Sequence, residues 1–134
     1  MDDRIELRPI GRVASRLTDP ASAPKQGHEG APDAWVLFEP WALEGLEGIA
    51  PGDELLILTW LDRARRDVLR VHPRDDLTNP ERGVFSTRSA DRPNPLGLHP
   101  VRVLAISGDR LHVSDLEALD GTPVVDVKPV LRRV

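Results

Sequence analysis

The sequence predicts a mostly β protein, built as a sandwich or a barrel, with one short helix. Thirteen prolines and ten glycines divide the 134 residues into short pieces. The apolar runs between these breaks are rich in Val, Ile and Leu and are bounded by turn residues, which is typical of strands. Many short strands with little helix indicate a sandwich or a barrel.

The elements follow in order along the chain. The strongest strand candidate is ELLILTWL, Glu54 to Leu61. Gly108-Asp109, between two later runs, is a hairpin signal. A helix is predicted at Trp41 to Glu47, because Pro40 precedes it and Gly48 follows it. The predicted strands are Ile5 to Val13, Ala34 to Phe38, Glu54 to Leu61, Val68 to Val71, Val84 to Ser86, Val101 to Ile106, Arg110 to Ser114 and Val124 to Val127.

Length and composition limit the class of protein. A chain of 134 residues is the size of one domain, so we expect a single domain over 1–134. The absence of cysteine excludes a disulfide scaffold, a thiolate zinc site and a cysteine nucleophile. The four histidines lack metal-ligand spacing, so no metal is expected. The first residues lack a signal-peptide pattern and no apolar run approaches the roughly 18 residues of a membrane span, so we expect a cytoplasmic protein without membrane contact.

Charge is unevenly distributed along the chain. The whole sequence has a net charge of -4, whereas residues 60–110 hold ten arginines and seven carboxylates, a net charge of +3. A basic face on an acidic protein is compatible with a phosphate-bearing ligand or a folded RNA. The alternative is that arginine dominates only because lysine is scarce, and composition alone favours that alternative.

Three irregular stretches, 14–33, 72–83 and 87–98, are predicted loops, where function tends to lie. The third contains Arg88, whose guanidinium suits a carboxylate or a phosphate, and the stiff turn Arg92-Pro93-Asn94-Pro95. A structural turn with solvated arginines explains the same residues. Trp35, Trp41 and Trp60 lie in apolar runs and are predicted to be core residues.

The segment Asp115 to Pro129 is the second unusual part of the chain. Asp120-Gly121 predicts a tight turn before the last strand, in which Asp126 interrupts an apolar run. Lys128 lies two residues further on, on the same strand face. A surface ion pair between them and a functional site are both open interpretations.

Several of these segments together resemble one known family. They are Pro9 to Val13 (PIGRV), Pro24 to Gln26 (PKQ), Gly83 to Ser89 (GVFSTRS), Arg92 to Leu98 (RPNPLGL) and Leu119 to Pro129 (LDGTPVVDVKP). The chain resembles the TsaA-like family, whose characterised bacterial members are the TrmO tRNA methyltransferases. The resemblance covers nearly the whole chain. The sequence departs from the family pattern at Leu61-Asp62, Glu117 and Val130.

The resemblance implies a compact β-barrel with one or two short helices that binds S-adenosylmethionine and forms a homodimer. It also implies N6-methylation of threonylcarbamoyladenosine at tRNA position 37, with the tRNA anticodon loop as partner. Arg88 would take the cofactor carboxylate or orient the base, and Asp120 would face the cofactor's positive end. The cofactor-binding residues that the resemblance implies are Pro24, Lys25, Gln26, Arg88, Leu98, Glu117, Ala118, Leu119 and Asp120.

An adenine amine must shed a proton when it is methylated, and Asp120 or Asp126 is the predicted acceptor. Arg92, Asn94 and Lys128 are the predicted substrate-binding residues. The chain is expected to lack the C-terminal extension of the longer bacterial enzymes, and this, with the net acidity, favours an alternative, methylation of a small metabolite. A third hypothesis is a non-catalytic S-adenosylmethionine-binding module. The tRNA hypothesis predicts that arginines of the +3 segment lie near the cofactor mouth; they are Arg63, Arg65, Arg66, Arg70 and Arg74.

Overall fold

Six strands form a closed barrel, which confirms the predicted mostly β fold. The computed structural model describes residues 3–18 and 30–131. The barrel strands follow the order β1-β2-β7-β6-β3-β8, and β4 and β5 pair separately as a small two-stranded sheet. The strands are β1 (Gly11–Ala14), β2 (Ala34–Phe38), β3 (Glu54–Trp60), β4 (Arg70–Val71), β5 (Arg82–Gly83), β6 (Leu96–Ser107), β7 (Arg110–Val113) and β8 (Pro123–Pro129).

The core fills the interior of this barrel. Along β3 the buried residues alternate, so that Leu55, Ile57 and Thr59 point inward. The long strand β6 alternates in the same way and pairs antiparallel with β3 along the whole of β3. The largest buried apolar side chains come from several strands and from the segment after β7, and they include Phe38, Leu55, Ile57, Leu111 and Leu116. Apolar burial on this scale is the main stabilising force of the domain.

Short helices in the described residues are all of the 3-10 type. The helix predicted at Trp41 to Glu47 is present as a 3-10 helix over Pro40–Leu46, which begins at its proline. Two further 3-10 turns cover Pro73–Asp75 and Val84–Ser86. The strand predicted at Val84 to Ser86 is therefore wrong. The Thr87 amide donates to the Val84 carbonyl at 3.0 Å, and this turn replaces strand pairing.

Two strand boundaries differ from the prediction by more than two residues, and two others, the start of β4 at Arg70 and the end of β8 at Pro129, differ by two. Strand β6 begins at Leu96, within the stretch predicted as loop, because Leu96 to Arg102 pair with β3. At the N-terminus only Gly11–Ala14 form a strand, although the pattern predicted one from Ile5. In both places the pairing partner, rather than the local sequence, sets the boundary.

The three tryptophans are not core residues, contrary to the prediction. Trp41 is half exposed, and Trp35 and Trp60 are partly buried. Each ring has a guanidinium near its face: the shortest separation, 3.6 Å to the ring centroid, is from Arg8 to Trp41. Cation–π contact accounts for these partly exposed positions. In the described part of the chain, no helix has the length and apolar character to cross a membrane.

Candidate functional site

A cleft of about 530 Å³ opens at the end of the barrel where β3 ends and β6 and β8 begin. Its volume lies within the range of about 300–1,000 Å³ that is usual for small-molecule sites. The lining comes from the loop after β3, the small β4–β5 sheet with its 3-10 turn, the loop before β6, the first residues of β6 and the segment before β8. The cleft therefore joins parts of the chain that are distant in sequence.

Five of the predicted cofactor-binding residues meet in this cleft. Arg88 comes from the loop before β6, Leu98 from β6, and Glu117, Ala118 and Leu119 from the segment before β8. The guanidinium of Arg88 is exposed and, among the described residues, makes no hydrogen bond or ion pair. An arginine in that state is available to a carboxylate or a phosphate of a ligand.

Asp120 is exposed and lies outside the cleft lining. Its carboxylate accepts a hydrogen bond from the Ser15 amide at 3.0 Å, and its own amide donates to the Leu17 carbonyl at 2.7 Å. These contacts attach the residues after β1 to the 117–122 segment. Pro24, Lys25 and Gln26 lie outside the described residues.

Asp126 and Lys128 also lie away from the cleft lining, on the exposed part of β8. Lys128 Nζ is 3.7 Å from Asp126 Oδ2, which corresponds to the surface ion pair that the sequence left open. Asn94 is exposed, and its side-chain oxygen accepts a hydrogen bond from Arg66 at 3.1 Å. The geometry brings neither Asp126, Lys128 nor Asn94 into contact with the cleft, and their functional roles stay predictions.

Arg92 lines the cleft but directs its guanidinium into the protein. It donates to the carbonyls of Val84, Thr87 and Ser89 at 2.7 to 3.1 Å. The loop 83–92 is thereby held in one shape around a single side chain. Because lysine lacks the planar fork, it cannot reproduce these three contacts.

Replacing Arg92 with alanine is expected to lower the free energy of unfolding by about 2 kcal/mol, because three carbonyls lose a charged donor in a partly buried loop. Urea denaturation measures the change. Arg88→Ala, in the same loop, is the control and should leave stability within about 0.5 kcal/mol of wild type. Equal stability of the Arg92 variant and the control would contradict this role.

The loop after β3 and the turn before β6 are joined by further polar contacts. The Arg65 amide donates to Asp91 Oδ1 at 2.8 Å, and the Arg66 guanidinium donates to the Pro93 carbonyl at 2.8 Å. The Leu61 amide donates to the carbonyl of the buried Pro95 at 2.8 Å. These contacts fix the proline-rich turn between two cleft-lining residues, Arg92 and Leu96.

The arginines of the basic segment divide into two groups. Arg63 and Arg74 line the cleft, as predicted, and Arg82 lines it as well. Arg65, Arg66 and Arg70 do not line it, because Asp67, Asn94 and Glu81 hold their side chains. The hydrogen bond that Arg65 donates lowers the pKa of the Asp67 carboxyl, and the one that Arg70 donates lowers the pKa of the Glu81 carboxyl.

A buried polar chain lies at the floor of the cleft, inside the end of the barrel. Thr59 Oγ1 is 2.6 Å from His99 Nε2, and His99 Nδ1 is 2.6 Å from Glu117 Oε1. Thr59 is fully buried, His99 is 3% exposed and the Glu117 side chain is 10% exposed. Among the described residues, Glu117 Oε2 is the one buried side-chain polar atom without a hydrogen-bond partner.

The chain is similar to one protein family over most of its length. Residues 12–134 match the family described as the tRNA-methyltransferase O N-terminal domain. The chain belongs to this family. A crystal structure of TrmO from Pseudomonas aeruginosa superimposes on the chain with a TM-score of 0.74 and 28% identity, covering 96% of this chain and 56% of that one.

The names of curated relatives state the ligand that these proteins bind and no reaction. A "Probable S-adenosyl-L-methionine-binding protein" of Archaeoglobus fulgidus is 43% identical over 93% of this chain, which spans only 34% of that protein. A protein of the same description from Methanothermobacter thermautotrophicus is 41% identical over 96% of this chain, which spans 91% of it. The family resemblance that the sequence motifs predicted is thereby confirmed.

Among the cleft residues, the resemblance named Arg88, Leu98 and the range 117–119, but it gave no role to Thr59 or His99. The spacing of the histidines gave His99 no role, and the structure places it inside the barrel, hydrogen-bonded to Thr59 and Glu117. A signal for it exists in the sequence. Every second residue of β6 points inward, at Gly97, His99, Val101 and Val103. This two-residue periodicity becomes visible only when the predicted strand is extended back to Leu96.

Proposed function

We propose that this chain binds S-adenosylmethionine in the cleft and acts as a methyltransferase, with threonylcarbamoyladenosine at tRNA position 37 as acceptor. The observation that carries the proposal is the meeting of Arg88, Leu98 and Glu117 in one cleft of suitable volume. Family membership and the names of the relatives support the same ligand.

The residues present fit the chemistry of this ligand. S-adenosylmethionine carries a carboxylate, an ammonium and a sulfonium, and when bound it supplies the methyl group. Arg88 offers a guanidinium for the carboxylate, and the buried Glu117 Oε2 is an acceptor in need of a donor. Leu98 and Leu119 give the same cleft apolar surface. Positioning and electrostatics of this kind are the main contributions that a protein makes to a displacement reaction.

Proton removal from the acceptor amine is proposed for Asp120 or Asp126. Support for Asp120 is its position directly after the cleft residues Glu117 to Leu119. Asp126 lies further away, in its ion pair with Lys128. Arg92, which fixes the cleft wall, is proposed to act on the substrate through that wall.

Methyl transfer is tested with tritium-labelled S-adenosylmethionine and tRNA that already carries threonylcarbamoyladenosine. The proposal expects label in the position-37 nucleoside and none in tRNA that lacks the threonylcarbamoyl group. Cofactor binding without transfer to tRNA would instead favour a metabolite methyltransferase or a non-catalytic binding module. Label found in a small-molecule extract distinguishes those two.

Binding of the anticodon stem-loop should weaken steeply with added salt, because arginines at the cleft rim replace counterions on phosphates. Arg82→Ala is expected to reduce the slope of log K against log salt concentration by about one. Arg110→Ala is the control, since Arg110 lies on β7 beside Asp109, away from the cleft lining. An unchanged slope in Arg82→Ala, or a flat salt dependence of the wild type, would count against RNA as the substrate.

We also propose that the protein forms a homodimer through the segment 69–85. Leu69, Leu77 and Phe85 are large apolar side chains in this segment, and each is more than half exposed. Apolar side chains in such positions are typical of protein interfaces. Light scattering of the wild type and of Phe85→Ser would show a dimer that the substitution weakens; a monomeric wild type contradicts the proposal.

A further inference from the structure

The buried chain of Thr59, His99 and Glu117 has a defined direction of hydrogen bonding. A carboxylate can only accept, so His99 Nδ1 carries the proton that lies between the imidazole and Glu117 Oε1. In the neutral imidazole Nε2 is then an acceptor, and the Thr59 hydroxyl donates to it. Each group in the chain thus fixes the orientation of the next.

The backbone around the chain is built to accommodate it. Gly97 pairs with Thr59 across β3 and β6, and a Cβ at position 97 would meet Thr59 Oγ1 and lie 2.6 Å from His99 Nε2. A side chain at this position would therefore occupy the space of the Thr59–His99 hydrogen bond. On the other side, the buried Leu116 and Ala118 anchor the backbone that carries Glu117. A register shift between Leu58 and Thr59, of the kind common next to active sites, also lies here.

This arrangement holds Glu117 but leaves half of its carboxylate without a partner. Oε1 takes the histidine proton, whereas Oε2 is buried and has no donor among the described residues. An unpaired buried carboxylate oxygen is costly unless a donor reaches it. Because Glu117 lines the cleft, a ligand there can supply that donor.

We infer that Thr59 and His99 are positioning residues that hold Glu117 so that Oε2 accepts a hydrogen bond from the ammonium group of a bound ligand. The inference rests on the proposed function, in which the ligand is S-adenosylmethionine. An ammonium group is a suitable partner for Glu117 Oε2 because it has N–H donors and a positive charge. A sulfonium has the charge but no N–H, so it cannot complete the hydrogen bond.

Three probes separate the parts of the ligand. S-adenosylmethionine has both the ammonium and the sulfonium, S-adenosylhomocysteine has the ammonium with a neutral sulfur, and 5′-methylthioadenosine has neither. Calorimetric titration of each probe is compared between wild type and Glu117→Gln, His99→Gln, His99→Asn and Thr59→Val. Glutamine places its amide near the position of Nε2 and asparagine near that of Nδ1, so only His99→Asn keeps a donor toward Glu117. Thr59→Val is close to isosteric and removes only the hydroxyl donor.

Glu117→Gln and His99→Gln are expected to weaken S-adenosylmethionine and S-adenosylhomocysteine equally, by about 10- to 100-fold, with less than a threefold change for 5′-methylthioadenosine. The affinity of His99→Asn for S-adenosylmethionine should lie within a few-fold of the wild-type affinity. The affinity of Thr59→Val should lie between those of the two histidine variants. Proton NMR gives a readout besides binding. The imidazole N–H of His99 should resonate far downfield, and it should shift on addition of the two ammonium-bearing probes but not of 5′-methylthioadenosine.

Two results overturn the inference while the proposed function stands. One is equal probe binding by His99→Gln, His99→Asn and wild type, which would make the chain purely structural. The other is that Glu117→Gln loses affinity equally for all three probes, or loses affinity for S-adenosylmethionine alone. A wild type that binds none of the probes overturns the proposed function and this inference together. Melting temperatures of the four variants identify any loss of binding that comes from unfolding.

Discussion

Gly97→Ala is expected to lower the free energy of unfolding by about 2 to 6 kcal/mol. The new Cβ would lie 2.6 Å from His99 Nε2, in a buried position between two paired strands. Overpacking of a core costs about 1–3 kcal/mol, and loss of the buried Thr59–His99 hydrogen bond adds about 1–3 kcal/mol. Neither neighbour can move away freely, because both side chains are almost fully buried. Urea or thermal denaturation measures the effect.

Gly45→Ala provides the matched control for this substitution. A Cβ at position 45 has no atom within 4 Å among the described residues, and Gly45 lies within the 3-10 helix Pro40–Leu46. Its stability is expected to stay within about 0.5 kcal/mol of wild type or to rise slightly. If both alanine variants had wild-type stability, the close packing assigned to the Thr59–His99 pair would be wrong.

Arg88→Ala is expected to weaken S-adenosylmethionine by about 10- to 100-fold, since a hydrogen bond to a charged group contributes about 1.5–3 kcal/mol. The guanidinium lines the cleft and has no partner among the described residues, so its removal takes away a ligand contact without breaking an internal one. The folded state should therefore keep its melting temperature. Calorimetric titration gives the affinity and scanning calorimetry gives the stability.

Arg65→Ala is the control for Arg88→Ala. Arg65 belongs to the same basic segment, but its side chain is paired with Asp67 and does not line the cleft. We expect the affinity of this variant for S-adenosylmethionine to be unchanged. We also expect that 5′-methylthioadenosine, which has no carboxylate, binds Arg88→Ala and wild type alike. A loss of affinity for this probe in Arg88→Ala would show that Arg88 does not contact the carboxylate.

Much of the barrel was predictable because its strands have a simple pattern. Ala34 to Phe38, Glu54 to Leu61 and Arg110 to Ser114 are short apolar runs between turn residues, and each is a strand within one residue of the predicted ends. The hairpin at Gly108-Asp109 was also predictable, and Gly108 has the positive φ that such a turn requires. The local sequence is enough to predict a strand where the apolar run and the turn residues beside it indicate the same structure.

Other parts depend on contacts that the local sequence does not contain. Val84 to Ser86 has the composition of a strand, yet Arg92 binds the Val84 carbonyl and the segment turns. The prolines before Leu96 favour a loop, yet pairing with β3 extends the strand back to that residue. Both outcomes follow from tertiary partners distant in sequence.

The candidate site shows the same division. The family motifs identified Arg88, Leu98 and Glu117, which the fold brings together in the cleft. They gave no indication of Thr59 and His99, because a buried hydrogen-bonded chain depends on which strand faces meet inside the barrel. The count of charges along the sequence did not show which arginines line the cleft, because Asp67 and Glu81 hold two of them away from it.

Calorimetric titration of the purified wild-type protein decides whether the cleft binds S-adenosylmethionine. We expect saturable heat with a micromolar Kd and a rise in Tm on addition of the ligand, because the ligand binds the folded state alone. The absence of both heat and thermal stabilisation, with and without tRNA, would contradict this expectation.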